Sequence, residues 1–403
     1  MKKKICLISD HHISVNPRLW KEAFCYEKHG YEVVILVMWI TDEWRKRDLE
    51  ILEGHRVTYK SYLNLIPGEV PESKRTFFRV RKKLAGELVR TGLELPYAIS
   101  YGPDLMLKAA IAEKADFYIA HLECAFYTGK KLLQKGHKVA FDFEDWYSRD
   151  YLNAARPVKF LKELERYALV NGTFCTTTSK AMADALKECY GVQRDISVVY
   201  NGFSVKENEG IEFSLRKKIN GVPKIIWFSR TVGKGRGVEK TIEAISNLDA
   251  PVEFHLLGDT TDAYKGEIEK IFPYNRGHKL IFHSFIPHNK LLAFLSEFDI
   301  GMAVEELEVD NKQLTVSNKL FQYLQAGLFI VATKTKGQME VASLFPGSVT
   351  GVEISRNQEW TDALSLFING GEFDQQERME KFNALFSWEA QEKKLLSLLN
   401  QNF

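Results

Sequence analysis

Short apolar, β-rich runs alternate with amphipathic stretches along most of the chain, and this alternation restricts the fold more than any other feature. Residues 5–8 and 33–38 read as buried strands, with a helix over 18–29 between them and Gly30 where a helix-closing glycine belongs. Residues 117–120 and 139–141 flank a second helical stretch, 126–135, closed by Gly136. Segments 161–169, 175–178, 180–189 and 196–200 continue the pattern. After Asn201-Gly202 and a polar stretch over 205–210, it restarts. Strands are expected at 224–228, 252–257, 280–282, 300–304 and 328–332, and helices at 238–248, 291–297 and 319–325. Strand, helix, strand with short loops builds a parallel sheet covered on both faces. A chain of 403 residues exceeds the roughly 250–300 that one hydrophobic core holds, so two α/β domains joined near Asn201 are expected.

Composition excludes several classes. Lys plus Arg (55) nearly balance Asp plus Glu (53), which argues against a dedicated nucleic-acid binder. The longest apolar run, 33–40, falls far short of the roughly 20 residues that cross a bilayer. Met1-Lys2-Lys3-Lys4 and the apolar residues after it end too soon, at Ser9-Asp10, for a secretion signal, so they read as a charged entry to a buried strand. The five cysteines are odd in number and include no CxxC pair, which suits reduced thiols in the cytoplasm.

Five clusters carry chemistry. Gly233-Lys234-Gly235-Arg236-Gly237 joins a strand to a helix, and with Arg230 it places three cations where backbone N–H groups can meet an anion, here expected to be a diphosphate. It is neither a Walker loop nor a dinucleotide GxGxxG. Ser317-Asn318-Lys319 opens a short helix, through Gln322 and closed by Gly327, ahead of a buried strand, and the acidic turn Glu305-Glu306 follows another strand. In the first half, His11 and His12 follow the first strand, and Asp142-Phe143-Glu144-Asp145 ends a later one. Ligands of open α/β sheets sit beyond the carboxyl ends of strands, where all these residues fall. No metal is expected, since no HxH or HxxxH spacing supports one, and no nucleophile elbow is present.

The order of these motifs resembles the family 4 glycosyltransferases, which are retaining enzymes of the GT-B fold. The resemblance is carried by Asn16-Pro17-Arg18, His29-Gly30-Tyr31-Glu32-Val33 and Tyr200-Asn201-Gly202 in the first half. In the second half it is carried by Ser229-Arg230, Arg236-Gly237-Val238, His255-Leu256-Leu257-Gly258-Asp259, Asn318-Lys319-Leu320-Phe321 and Phe386-Ser387-Trp388-Glu389. It implies two Rossmann-like domains facing each other across a cleft: 1–202 for the acceptor and 203–385 for a nucleotide-sugar donor. A C-terminal helix, 386–403, would return to the first domain. It further implies that Arg230, with Arg236 or Lys234, neutralises the leaving diphosphate, and that no metal or other cofactor is needed. Donor contacts would come from Gly233, Gly235, Gly258, Asp259, Glu305, Glu306, Ser317, Asn318, Lys319 and Gln322. Acceptor-side contacts would come from His11, His12, Asn16, Arg18, His121, Asp142 and Asp145, beside a saccharide or lipid-linked acceptor.

Three positions depart from the family pattern. The glycine-rich first turn is replaced by Asp10-His11-His12-Ile13-Ser14. Gln322 stands where the family has a ribose-binding Glu, a contact weaker by about 1 kcal/mol, and Leu314 stands where a second Glu precedes it. Glu144 stands where a first-domain His lies near the sugar, and it is counted here with the catalytic candidates. A non-catalytic sugar-nucleotide-binding or scaffold protein and a nucleotide-sugar epimerase are the other readings on this fold. Finally, 74–90 carries seven basic residues against Glu87 alone, with Phe77, Val80, Leu84 and Leu88 on one helical stripe and Arg75, Arg79, Lys82, Lys83 and Arg90 opposite. That layout fits either a stripe packed in the core or a helix lying on an anionic, cytoplasmic membrane face.

Overall fold

The computed structural model describes residues 2–150, 153–211, 213, 219, 221–305, 309–370 and 374–403. The chain forms two compact units: Met1–Val199 together with Glu392–Phe403, and Tyr200–Gln391. The division falls at Val199/Tyr200 rather than after 202, and the return segment begins at Glu392 rather than 386.

In the first unit the elements run β1 (Lys4–Ile8), α1 (Pro17–Lys28), β2 (Glu32–Trp39), α2 (Asp42–Leu52), β3 (Thr58–Asn64), α3 (Glu72–Val89) and α4 (Pro103–Glu113). They continue as β4 (Phe117–His121), α5 (Leu122–Leu133), β5 (Val139–Phe143), α6 (Val158–Asn171), β6 (Cys175–Thr177), α7 (Lys180–Tyr190) and β7 (Ser197–Val198). The sheet order is β3-β2-β1-β4-β5-β6-β7 with every pairing parallel. β2 is buried along almost its whole length, as a parallel strand covered on both faces must be. Local chemistry sets the helix starts: Asn16 accepts from the Leu19 N–H ahead of Pro17, and Ser179 accepts from the Met182 N–H.

The second unit runs β8 (Lys224–Thr231), α8 (Val238–Ser246), β9 (Glu253–Asp259), α9 (Asp262–Ile271), β10 (Lys279–His283), α10 (His288–Leu295), β11 (Ile300–Ala303) and α11 (Asp310–Leu314). It ends with α12 (Asn318–Gln325), β12 (Phe329–Thr333), α13 (Lys336–Ala342), β13 (Val349–Val352), α14 (Asn357–Ile368), α15 (Gln375–Phe386) and the start of α16 (Trp388–Asn402). Its parallel sheet has the order β10-β9-β8-β11-β12-β13. Alternate residues of β8 feed two cores: Ile225 and Trp227 pack with Phe254 and Met302, and Ile226 packs with Leu320 and Tyr323. Two α/β units of this kind are the architecture the alternation predicts.

From Glu392 onward, α16 belongs to the first unit. There the Tyr31 hydroxyl donates to Asn400 (2.9 Å), Lys138 Nζ donates to the carbonyls of Asn402 and Phe403 (3.0 and 2.8 Å), and the Phe403 ring lies against Tyr31 and Phe117.

The stripe expected over 74–90 requires a correction. α3 forms, but only Phe78 and Ala85 are buried, while Phe77, Val80, Leu84 and Leu88 are 58, 48, 59 and 37% exposed. The helix is rotated so that its short core contact lies beside the apolar stripe, and the reading with the stripe in the core does not hold.

Candidate functional site

In each sheet the strand order reverses beside the unit's first strand, between β1 and β4 and again between β8 and β11. The crevice beyond the carboxyl ends at such a reversal is where open α/β sheets take ligands. Both reversals are lined with polar side chains.

In the second unit, two glycines draw the strand ends together. Gly258 has φ +140°, and a Cβ there would lie 2.1 Å from the Ser229 carbonyl oxygen, so only glycine allows β9 to approach the end of β8. Gly237 has φ +83°, and a Cβ there would lie 2.6 Å from Val304 Cγ2, which brings the basic loop against the end of β11. Arg236 donates to Ser229 Oγ (3.0 Å). Arg230 is exposed and has no ion pair among the described residues. Lys234 turns to Glu267 (2.7 Å), an exposed pair that contributes little, at the edge of a cavity of about 480 Å³ that also touches Gly233 and Asp259. The Val232 N–H donates to the Asp259 carbonyl (2.8 Å), and Gly235 lies in the exposed turn between Lys234 and Arg236.

Beyond β11, Glu305 accepts from Ser317 Oγ (2.9 Å) and Lys319 Nζ (2.7 Å), and its backbone N–H donates to Thr333 Oγ1 (2.7 Å). Burial opposes ionisation of Glu305, but the Lys319 ammonium and the Ser317 hydroxyl outweigh it and hold the carboxyl below its ordinary range. Lys319 also lies over the buried Trp227 ring, 5.4 Å from its centroid. The Ser317 hydroxyl thus serves Glu305 and does not cap α12, whose first residue, Asn318, is exposed. Gln322 is buried on α12, and Leu314 is buried on α11. Glu306 lies outside the described residues. Of the four cations expected on a diphosphate, Lys234 and Lys319 are each paired with a carboxylate, whereas Arg230 and Arg236 are not paired with an acid among the described residues.

The first unit's reversal holds a denser network. Arg18, on α1, donates from Nε and a terminal nitrogen to Asp142 (2.5 and 2.8 Å) and from the other terminal nitrogen to the Val199 carbonyl (2.6 Å). Thr176 Oγ1 donates to Asp142 (2.6 Å). His121, at the end of β4, is fully buried, with Nδ1 3.2 Å from Asp142 and 3.1 Å from Glu144. Its Nε2 faces Glu22 at 3.1 Å without hydrogen-bond alignment. Burial alone would favour the neutral ring, but Asp142, Glu144 and Glu22 outweigh it and raise the His121 pKa well above the ordinary value. Desolvation likewise resists a charge on Asp142, yet Arg18 and His121 hold it well below the carboxylate range. Asn16 Nδ2 donates to Glu144 (2.8 Å), and Asp145, next along the chain, is half-buried.

Ligand atoms of Glu22, His121 and Asp142 lie within 4.8 Å of one another, a spacing a metal ion could bridge. Arg18 and the charged imidazole already neutralise those carboxylates, so a metal would first have to displace the ring proton. The two neighbouring histidines diverge. His12 is fully buried, its Nδ1 on Asp48 (2.5 Å) and its Nε2 accepting from the Ile40 N–H (2.9 Å), so the ring serves the fold rather than an open edge. His11 is half-exposed, with Nδ1 on the buried Asp10 (2.8 Å), whose other oxygen accepts from the Cys124 thiol (2.7 Å). The Asp10 charge raises the His11 pKa.

Sequence reading missed Glu22, Asp48, Asp10 and Thr176. Glu22 was within reach, since it follows Arg18 by four residues and shares its helix face.

No protein-family description matches the chain, and no curated protein does. Among solved structures, the fold is that of the GT-B glycosyltransferases. A glycosyltransferase from Rickettsia africae superposes with a TM-score of 0.66 at 13% identity, over 100% of this chain and 98% of that one. HepE of Anabaena, solved with UDP and glucose, gives 0.65 at 14% identity over 99% and 100%. A Listeria monocytogenes protein provisionally assigned as a UDP-N-acetylglucosamine 2-epimerase gives 0.58 at 11% identity over 100% and 97%. At these identities the likeness establishes the fold alone.

Proposed function

We propose that the chain is a retaining glycosyltransferase of the family 4 type that moves a sugar from a nucleotide-sugar donor to a saccharide or lipid-linked acceptor in polysaccharide or glycoconjugate synthesis. The observation that carries this reading is the patch at the β8/β11 reversal, where Gly237 of the basic loop packs on Val304, the residue before Glu305 of the Glu305–Ser317–Lys319 cluster, and Arg236 donates to Ser229 at the end of β8. Backbone N–H groups of the glycine loop and the guanidinium groups of Arg230 and Arg236 suit a diphosphate. As the bond from the sugar's anomeric carbon to the diphosphate oxygen breaks, these donors stabilise the charge developing on the leaving group. The acceptor oxygen bonds to the same face of that carbon, and its proton passes to the departing phosphate. No metal takes part. The first unit receives the acceptor, with His11, Glu144 and Asp145 as its least buried candidates, and the reaction is cytoplasmic.

Lys234 and Lys319, each tied to a carboxylate, give the rival reading of a donor-binding protein without turnover its specific support. One experiment separates the readings. The protein is incubated with UDP-, GDP- and TDP-sugars and a panel of acceptors, beginning with UDP-sugars because HepE was solved with UDP. Nucleoside diphosphate release that depends on acceptor supports transfer, epimerised donor supports the epimerase, and binding without either supports the scaffold. Arg230→Ala and Arg236→Ala should each lower turnover on the order of a hundredfold, as loss of a charge-stabilising donor does, and wild-type rates in both would remove the assignment.

A further inference from the structure

α3 keeps only Phe78 and Ala85 in the core and turns a wide arc to solvent. That arc is sorted by chemistry. With Phe77 at zero and about 100° per residue, Val80, Leu84, Phe77 and Leu88 span about 300° to 20°, and Arg79, Arg90 and Lys83 span about 200° to 240°. Leu93, just beyond the helix, is exposed too. Single exposed apolar side chains are ordinary, but a continuous row over three turns marks a surface made to be covered.

Charge identifies what covers it. The helix and its cap carry seven basic residues against Glu72 and Glu87, an excess of +5 in a chain whose net charge is +2. Glu72 holds Arg75 and lies 3.7 Å from Arg79, while Glu87 pairs with Arg90 (2.9 Å). Lys74 and Lys83 have no ion pair among the described residues. Next to the basic flank, a cavity of about 430 Å³ is lined by Arg79, Lys82 and Lys83 against Glu87, and by Arg156 held on Glu123 (2.5 Å), so a smaller basic excess continues inward. A partner must therefore offer negative charge and hydrocarbon side by side, as an anionic bilayer does. A helix with an apolar row flanked by cations lies in such an interface with its apolar side chains at the acyl boundary.

We infer that α3 docks the first unit on an anionic phospholipid surface. Phe77 and Leu84 enter the acyl boundary, and Arg79, Lys83 and Arg90 meet the phosphates. This holds whatever reaction the protein catalyses.

Co-sedimentation of the full chain with phosphatidylcholine–phosphatidylglycerol vesicles at low salt tests it. Wild type should pellet with these vesicles, remain largely in the supernatant with phosphatidylcholine alone, and release as salt rises. Each cation near the surface strengthens partition about fivefold, so Arg79→Gln/Lys83→Gln/Arg90→Gln should weaken it about a hundredfold. Phe77→Ser/Leu84→Ser should weaken it at least about tenfold. All five side chains are outside the core, and unchanged melting temperatures confirm that the variants fold. Wild type left in the supernatant at low salt overturns the inference, as does full binding by Phe77→Ser/Leu84→Ser. A dimer seen by sedimentation velocity, lost in that variant and accompanied by no vesicle binding, overturns it as well and assigns the row to a second copy.

Discussion

Replacing Arg18 by Met should show how much of the first unit rests on its buried charge network. In the wild type, three carboxylates (Glu22, Asp142 and Glu144) face two cations, Arg18 and His121. Arg18→Met preserves the stem but leaves three acids with one cation and the Val199 carbonyl without its donor. Removing one partner of a buried pair is worth about 3–5 kcal/mol, a large fraction of a domain's stability. For a unit of roughly 200 residues, each kcal/mol moves the melting temperature by about 2–4 °C, so a fall of about 6–20 °C is expected at pH 7. Differential scanning calorimetry reads the shift, and hydrogen exchange of β5, which carries Asp142, localises it to the first unit. The pH dependence supplies a second readout. Arg18 depresses the folded pKa of Asp142, so the stability it confers is present above the unfolded value of about 4 and lost as pH falls through the folded value. The variant lacks that contribution, and its Asp142 takes up a proton earlier, so the gap to wild type should narrow as the pH falls through about 4 and below. Arg18→Met/Asp142→Leu should recover most of the loss, because an apolar pair can replace a buried ion pair. A gap under about 1 kcal/mol at pH 7, or one constant with pH, would refute the reasoning.

Two further perturbations probe the second unit. Burial, with His283 stacked beside it, pushes the His255 pKa down to about 4. Its unfolded form therefore binds a proton first, and stability falls as pH drops below about 6.5. Relative to His255→Phe, wild type should lose about 2 kcal/mol more between pH 7 and pH 4.5 in thermal melts, after allowance for solvent screening, and parallel profiles would count against this. Gly258→Ala should destabilise by about 2 kcal/mol or more and weaken donor binding, because the new methyl meets the Ser229 carbonyl beside Arg230. Melting and nucleotide-sugar titration of that variant check both effects.

Local pattern carried the fold a long way. The strand and helix periods, the glycine-rich basic loop and Gly258-Asp259 placed two parallel sheets and the carboxyl ends where polar residues gather. Pairings across long sequence separations were a different matter. Nothing local joins Arg18 to Asp142, 124 residues away, or Lys319 to Glu305, 14 residues away, yet these contacts determine which charges stay open to a ligand. His11 and His12 look equivalent in sequence, and only the third dimension buries one ring and leaves the other half-exposed. The α3 stripe shows the same limit from the other side. Helical period sorts residues onto faces, but which face meets the core depends on neighbours that the period does not encode.

The return of Glu392–Phe403 to the first unit has a consequence for the order in which the protein can be made. The ribosome releases almost all of that unit, then the whole of the second, and only then the twelve residues that finish the first. At roughly 5–20 residues per second, the interval is on the order of 10–40 s. Throughout it, Phe117 and Tyr31 lack the Phe403 ring that later covers them, and Lys138 lacks its carbonyl partners. The first half of the polypeptide thus spends its early life as an unfinished intermediate with an uncovered aromatic edge, an opening for chaperones that closes only once Glu392–Phe403 has left the ribosome.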